Sequence, residues 1–217
     1  MLTMRTLPLV TLALVTLALA PHLGCNDPSK GQSQAAVAAP VSSAAVSAAP
    51  GVAFVITPQT SKVEWTGSKV TGSHDGSFAM FSGAVTLVDG AIDKSRVSID
   101  IDTTSLTTAP EGLIKHLKSA DFFSVDQFPK ASFASTSIKA GGDKGAAYQV
   151  TGNLTLHGVT KSISFPANIA VAGDAINADA TFSINRKQFG LNYPGKATND
   201  LIRDDVVIKL TIHAAKS

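Results

Sequence analysis

One cysteine, one tryptophan and 16% charged residues leave this 217-residue chain short of several kinds of chemistry. With Cys25 alone, no internal disulfide can brace the fold in any compartment, so burial of apolar side chains must supply the stability. The formal net charge is +2 and no run of Lys or Arg appears, which excludes the basic footprint of a nucleic-acid binder. The catalytic signatures Gly-x-Ser-x-Gly, His-Glu-x-x-His and Gly-x-Gly-x-x-Gly are missing. Gly67–Gly72 has the glycine spacing of a phosphate loop, but Ser73-His74 follow where Lys-Ser/Thr is needed. His74, in a Gly-rich turn over Gly72–Gly76, and His116, His157 and His213 match no metal-ligand spacing. Asp100 and Asp102 share one strand face without a nucleophile or base beside them. The expectation is a protein that is not an enzyme and holds no metal.

What is present begins with an apolar leader. Residues 1–24 read as an export signal: Arg5 in a short n-region, then the almost unbroken apolar run Leu7–Ala20, too short to span a membrane comfortably. Cys25 follows Leu23-Gly24 in the manner of a bacterial lipobox, although His22 stands where that motif prefers leucine. The expectation is acylation of Cys25 and a periplasmic or membrane-anchored lipoprotein of the cell envelope, with ordinary secretion as the competing reading. Residues 25–50 are rich in Ala, Ser, Pro and Gln with little charge, a composition that predicts a disordered tether. Residues 51–217 make one domain.

Period-two alternation dominates that domain. Val97, Ile99 and Ile101 alternate with Ser98, Asp100 and Asp102; Ile208, Leu210 and Ile212 alternate with Lys209, Thr211 and His213. Tyr148–His157 repeats the pattern, and weaker versions occur at Lys62–Lys69, Phe78–Val88, Lys130–Lys139, Ser162–Val171 and Ala175–Arg186. These eight strands, in series with short turns, predict an all-β antiparallel sheet closed into a barrel, which removes its edges. Pro110–Ser119 departs from the pattern: Leu113, Ile114 and Leu117 stand at helical spacing, followed by Phe122-Phe123 and Phe128-Pro129. A short helix covering one barrel mouth accounts for this apolar density.

Four motifs, in order, resemble the YceI-like family. They are Gly76–Gly83 (Gly-x-Phe-x-x-Phe-x-Gly), the run from His116-Leu117 through Phe122-Phe123 and Phe128-Pro129 to Ala131–Thr136, Gly152–Lys161 (GNLTLHGVTK), and Phe182–Arg186 with Phe189-Gly190. The resemblance covers nearly all of Val52–Ala215. It implies an extended eight-stranded lipocalin-like barrel that binds, sequesters or transports a long isoprenoid or similar amphiphile: a polyprenyl phosphate, a quinone or a fatty-acid-like lipid. Trp65, Phe78, Phe81, Leu113, Leu117, Phe122, Phe123, Phe133, Phe182 and Phe189 are the candidate cavity residues, with ordinary core packing as the alternative for each. Arg186 and Lys161 could meet a phosphate at the mouth or serve structural roles. The competing functions are a quinone-linked redox enzyme, or other enzyme, acting at the barrel mouth, and a structural barrel filled by its own side chains.

Overall fold

The computed structural model describes residues 27–42, 50–193 and 201–217. The expected export segment and Cys25 lie outside them. The strands are β1 (Ser33–Gln34), β2 (Ala36–Ala38), β3 (Val52–Ile56), β4 (Lys62–Lys69), β5 (Gly72–Phe78), β6 (Phe81–Val88) and β7 (Ala91–Asp102). After them come β8 (Leu106–Thr108), helix α1 (Glu111–Lys118), β9 (Lys130–Ala140), β10 (Tyr148–Leu156), β11 (Val159–Ala172), β12 (Ala175–Asn185) and β13 (Asp205–Lys216).

The pairings reduce to eight staves, because three staves are each broken in two. β3 and β4 follow one another along the same edge of β13, at Ala215↔Val55 and then Thr211↔Lys62. Their other edges pair with β6 and β5, and these in turn with β7 and β8. A short 3-10 turn, Thr103–Ser105, separates β7 from β8, and the Asp102 carboxylate caps it by accepting from the Thr104 backbone N–H at 2.8 Å and hydroxyl at 2.6 Å. β7, β9, β10 and β11 continue the antiparallel order, β11 pairs with β12, and β12–β13 closes the ring. The closed eight-stranded barrel is the architecture that the alternation predicts, and α1, the single α-helix among the described residues, stands where the helical spacing of Leu113, Ile114 and Leu117 predicts it. His74 departs from its expected place in a turn, because Gly72–Phe78 is strand and pairs with β4 from Lys69 back to Glu64. The glycine at position 76 has a packing reason: a Cβ there would lie 2.2 Å from Cζ2 of Trp65 and 2.5 Å from the Thr107 carbonyl oxygen.

The ring is not evenly sealed. β11 and β12 pair directly only from Asn168–Ala172 to Asp179–Ala175. Beyond that the two strands splay apart, and the N-terminal segment fills the seam. β2 pairs antiparallel with Ser162–Ser164 of β11, and β1 pairs parallel with Phe182-Ser183 of β12. Between them the Ala35 N–H donates to the Ser183 carbonyl at 2.8 Å. The expected tether over 25–50 is therefore corrected across its described residues 27–42. Ala35 is 5% exposed, and the Ser33 hydroxyl donates to Asp143 at 2.6 Å. Asn153 both donates to the Val41 carbonyl and accepts from its N–H. Further back, Asp27 forms an ion pair with Arg203 at 3.0 Å. The Ser29 hydroxyl on Asp27, aided by the Arg203 charge, and the Ser33 hydroxyl on Asp143 each hold the carboxyl below its ordinary pKa. Composition forecasts disorder when a segment must build its own core; this one instead satisfies backbone groups on two existing edges.

Candidate binding cavity

Inward-facing side chains of all eight staves enclose a cavity of about 700 Å³. Val97, Ile99 and Ile101 line it from β7, and Ile208, Leu210 and Ile212 from β13, while Ser98, Asp100, Lys209 and His213 are exposed on the outer face. The alternation read from the sequence thus separates a wall from a surface. The space is within the range of small-molecule sites. It is also long: at about 3.3 Å per residue and a tilt of roughly 40°, staves of nine to fourteen residues enclose a slot some 20–35 Å deep.

Of the ten candidates, Trp65, Phe78, Phe133 and Phe182 line the cavity from strands. Leu113 and Leu117 reach it from α1, and Phe122 and Phe123 from the segment just after the helix. Phe81 and Phe189 do not belong to the lining. Phe81, 7% exposed, packs in the cluster around Phe54, Ile56 and Ala214, and Phe189, fully buried, packs in the cluster that includes Phe182, Ile184 and Leu191. An apolar pattern reports that a side chain leaves water; whether it meets a void or another side chain is decided by the other seven staves.

The aromatic rings form two groups. Phe165 stacks on Phe182 with centroids 4.2 Å apart, and Phe133 tilts against Phe165 at 5.7 Å. Near α1, Phe123 meets Phe78 edge-on at 6.0 Å, and His116 contacts Phe122 at 5.1 Å and Tyr193 at 4.9 Å. Room for Phe133 comes from Gly152 on the neighbouring strand, where a Cβ would lie 2.4 Å from the ring.

Polar lining residues collect mainly at the α1 end: Ser68, Lys69, His74, His116, Arg186, Tyr193 and Arg203. Arg186 is 4% exposed, and four of its five N–H donors are already engaged within the protein. Its guanidinium donates to the carbonyls of Leu191, Ile202 and Arg203 and to the Asp204 carboxylate at 3.2 Å, clamping both ends of the β12–β13 connection. Burial lowers its pKa and the Asp204 charge opposes that shift; the group stays charged. The structural reading of Arg186 therefore holds. Lys161 stands on β11 and is not part of the lining. His157 lies in the β10–β11 turn with its ring 4.6 Å from Phe128. Among the described residues no group of three or more His, Cys, Asp or Glu is placed to hold a metal ion.

Sequence reasoning missed Ser68 and Arg203. Ser68, 5% exposed, is buried out of step with Val63 and Trp65 on β4. Arg203 is brought to the cavity by the Lys69↔Ile202 bridge and by its backbone N–H donating to the Ser68 carbonyl at 2.9 Å. Neither carries a local sequence signal.

The model of the YceI-like domain matches residues 54–214. A UPF0312 protein of Pseudomonas putida strain W619 is 37% identical over 135 residues, 59% of this chain and 69% of that protein. Protein YceI of Salmonella arizonae is 40% identical over 99 residues, 46% of this chain and 50% of that protein. Among solved structures, BcnA of Burkholderia cenocepacia superposes with a TM-score of 0.65 at 24% identity, covering 74% of this chain and 99% of that one. A polyisoprenoid binding domain from Saccharophagus degradans superposes with a TM-score of 0.61 at 16% identity, covering 76% and 99%. These two structures share the fold.

Proposed function

Because the chain belongs to the YceI-like family, we propose that its barrel binds a long isoprenoid or similar amphiphile, without catalysis, in the bacterial cell envelope. One observation carries this reading: the interior is a long cavity whose wall is almost wholly apolar. A barrel filled by its own side chains would leave no such space. Burying one methylene contributes about 0.8 kcal/mol, so a dozen supply roughly 10 kcal/mol against association costs of several. Tail burial alone thus sustains useful affinity. The polyisoprenoid binding domain with the same fold adds support for that tail class. Native mass spectrometry of protein carrying its N-terminal segment, followed by lipid extraction, is expected to give a one-to-one adduct that extracts as an isoprenoid. Phe123→Glu, which puts a charge in the wall, is expected to remove the adduct while the protein stays folded. A bare mass after incubation with such lipids counts against the reading.

Acylation of Cys25 would hold this barrel at a membrane, since two or more chains anchor stably where one does not. Cys25 stands two residues before Asp27, the ion-pair partner of the cavity-lining Arg203. Labelling with a radioactive fatty acid is expected to mark the wild type and not Cys25→Ser; equal labelling of both excludes the anchor.

A further inference from the structure

The two parts of the sequence that seek a membrane, the apolar run Leu7–Ala20 and Cys25, both precede Asp27. Asp27 is fixed to the barrel: it meets Arg203 at 3.0 Å, and Arg203 lines the cavity at its α1 end. Cys25 is two residues away, a reach of at most about 8 Å. A tether running to residue 50 would let the barrel turn any face to a bilayer. A leash of two residues keeps an anchor on Cys25 beside Arg203.

The surface next to Arg203 is apolar. Leu201 is 58% exposed and Val70 44%, and the Val70 N–H donates to the Leu201 carbonyl at 3.2 Å. The Lys69↔Ile202 bridge joins the same two segments. Lys69 and Ile202 line the cavity, as do His74, His116 and Tyr193. All five are half-buried rather than buried, so the cavity approaches solvent at this end. Charge here is mixed. Asp27, Asp204 and Asp121 face Arg203, Arg186 with Lys187, and His116, while α1 carries Lys115 and Lys118 in its last turn. Electrostatics therefore do not direct this face to a surface; apolar contact and the leash do. Two side chains bury too little to hold a protein on a membrane, but a short leash raises their local concentration there. Exposed valines also stand towards the opposite end, at Val52, Val55 and Val171, near where β13 finishes. Neither the apolar run nor Cys25 joins the fold there.

We propose that the α1 end of the barrel is the face that lies on the bilayer, with Val70 and Leu201 among the lipid head groups and the cavity mouth beside them, so that lipid passes between membrane and barrel without crossing water. This rests on the amphiphile reading of the cavity and on the acyl anchor, and adds which face meets the membrane. With Cys25 acylated, Val70→Cys supplies the one free thiol of the chain. Labelled there with nitrobenzoxadiazole and reconstituted in vesicles of phosphatidylethanolamine and phosphatidylglycerol, the protein is expected to lose its fluorescence when the vesicles carry nitroxide-labelled lipid. The same label on Val171→Cys is expected to keep it. Quenching at 171 and not at 70, equal quenching at both, or none at either overturns the docking face. A Val70→Asp, Leu201→Asp double variant, acylated in the same way, is expected to take geranylgeranyl anthranilate from vesicles about tenfold more slowly, the factor that the apolar surface exposed on two such side chains is worth. Without vesicles it should bind that probe as the wild type does. Uptake from vesicles at the wild-type rate overturns the passage of lipid through this face, and weaker binding without vesicles assigns the pair to the cavity and overturns it too. Protein with no acyl chain on Cys25 overturns the docking face together with the anchor. Docking at position 70 by protein whose cavity takes no probe overturns the amphiphile reading and leaves the face standing.

Discussion

A protein shortened to begin at residue 51 is expected to unfold roughly 10 °C below the longer chain and to associate with itself. Composition alone recommends that cut, since residues 25–50 look like a tether. The structure argues otherwise, because β1 and β2 occupy the seam where β11 and β12 no longer pair. Their removal uncovers backbone donors and acceptors on Ser162–Ser164 and Phe182-Ser183 and leaves Asp143, Asn153 and Arg203 without Ser33, Val41 and Asp27. About half a dozen hydrogen bonds at the low end of 0.5–1.5 kcal/mol each come to about 3 kcal/mol. For a domain of this size each kcal/mol moves the midpoint by about 2–4 °C. Two unpaired strand edges facing one gap are also a template for a second chain. Ala35→Pro in the full segment separates loss of pairing from loss of chain, because it deletes the N–H that reaches Ser183 and keeps the length. Circular-dichroism melting and size-exclusion chromatography read both effects. Equal midpoints and a monomeric short form would return the segment to the role of tether.

The same segment marks the limit of what was legible. The staves announce themselves because one face of each is solvated and the other is not, so Val97-Ile99-Ile101 and Ile208-Leu210-Ile212 carry the fold in their alternation. Helix α1 shows through the spacing of Leu113 and Leu117, both of which reach the cavity. β1 and β2, only two and three residues long, have no such face. They contribute mainly main-chain groups, which every sequence has. β5 is disguised for a different reason. Gly72 and Gly76 make it look like a turn, whereas Gly76 is small because the Trp65 indole lies where its side chain would be. The candidate site divides along similar lines. Which residues are apolar and inward was readable; that Phe81 and Phe189 pack solidly while Phe133 and Phe182 border a void depends on staves distant in sequence. The burial of Ser68 and the position of Arg203 were beyond reach, since Ser68 is out of step with Val63 and Trp65 and Arg203 depends on a loop meeting β4.

Ala180→Phe is expected to abolish lipid binding, by at least about a hundredfold, with no loss of stability. Ala180 sits near the middle of β12 opposite Leu210 of β13, and its methyl group lines the cavity on the same face as Ala178 and Phe182. A phenyl ring there would stand across the slot that an extended tail must occupy. Blocking half the tail removes some six methylenes, and at about 0.8 kcal/mol each that is roughly 5 kcal/mol, more than a hundredfold in affinity. Wall atoms that border a void lack dispersion partners, so a ring entering it gains contacts without displacing neighbours. The same change at Ala214 gives the contrast. That residue is fully buried against Phe54 and Ile56 and is absent from the cavity wall. Overpacking there costs about 1–3 kcal/mol. Melting temperature and adduct formation, measured on both variants, therefore separate two properties of one barrel. Ala180→Phe should keep the midpoint and lose the lipid, and Ala214→Phe should lower the midpoint while the folded fraction still takes lipid. If Ala180→Phe is destabilised as much as Ala214→Phe, the interior is packed rather than open. If it stays folded and binds lipid as the wild type does, the tail lies outside the barrel.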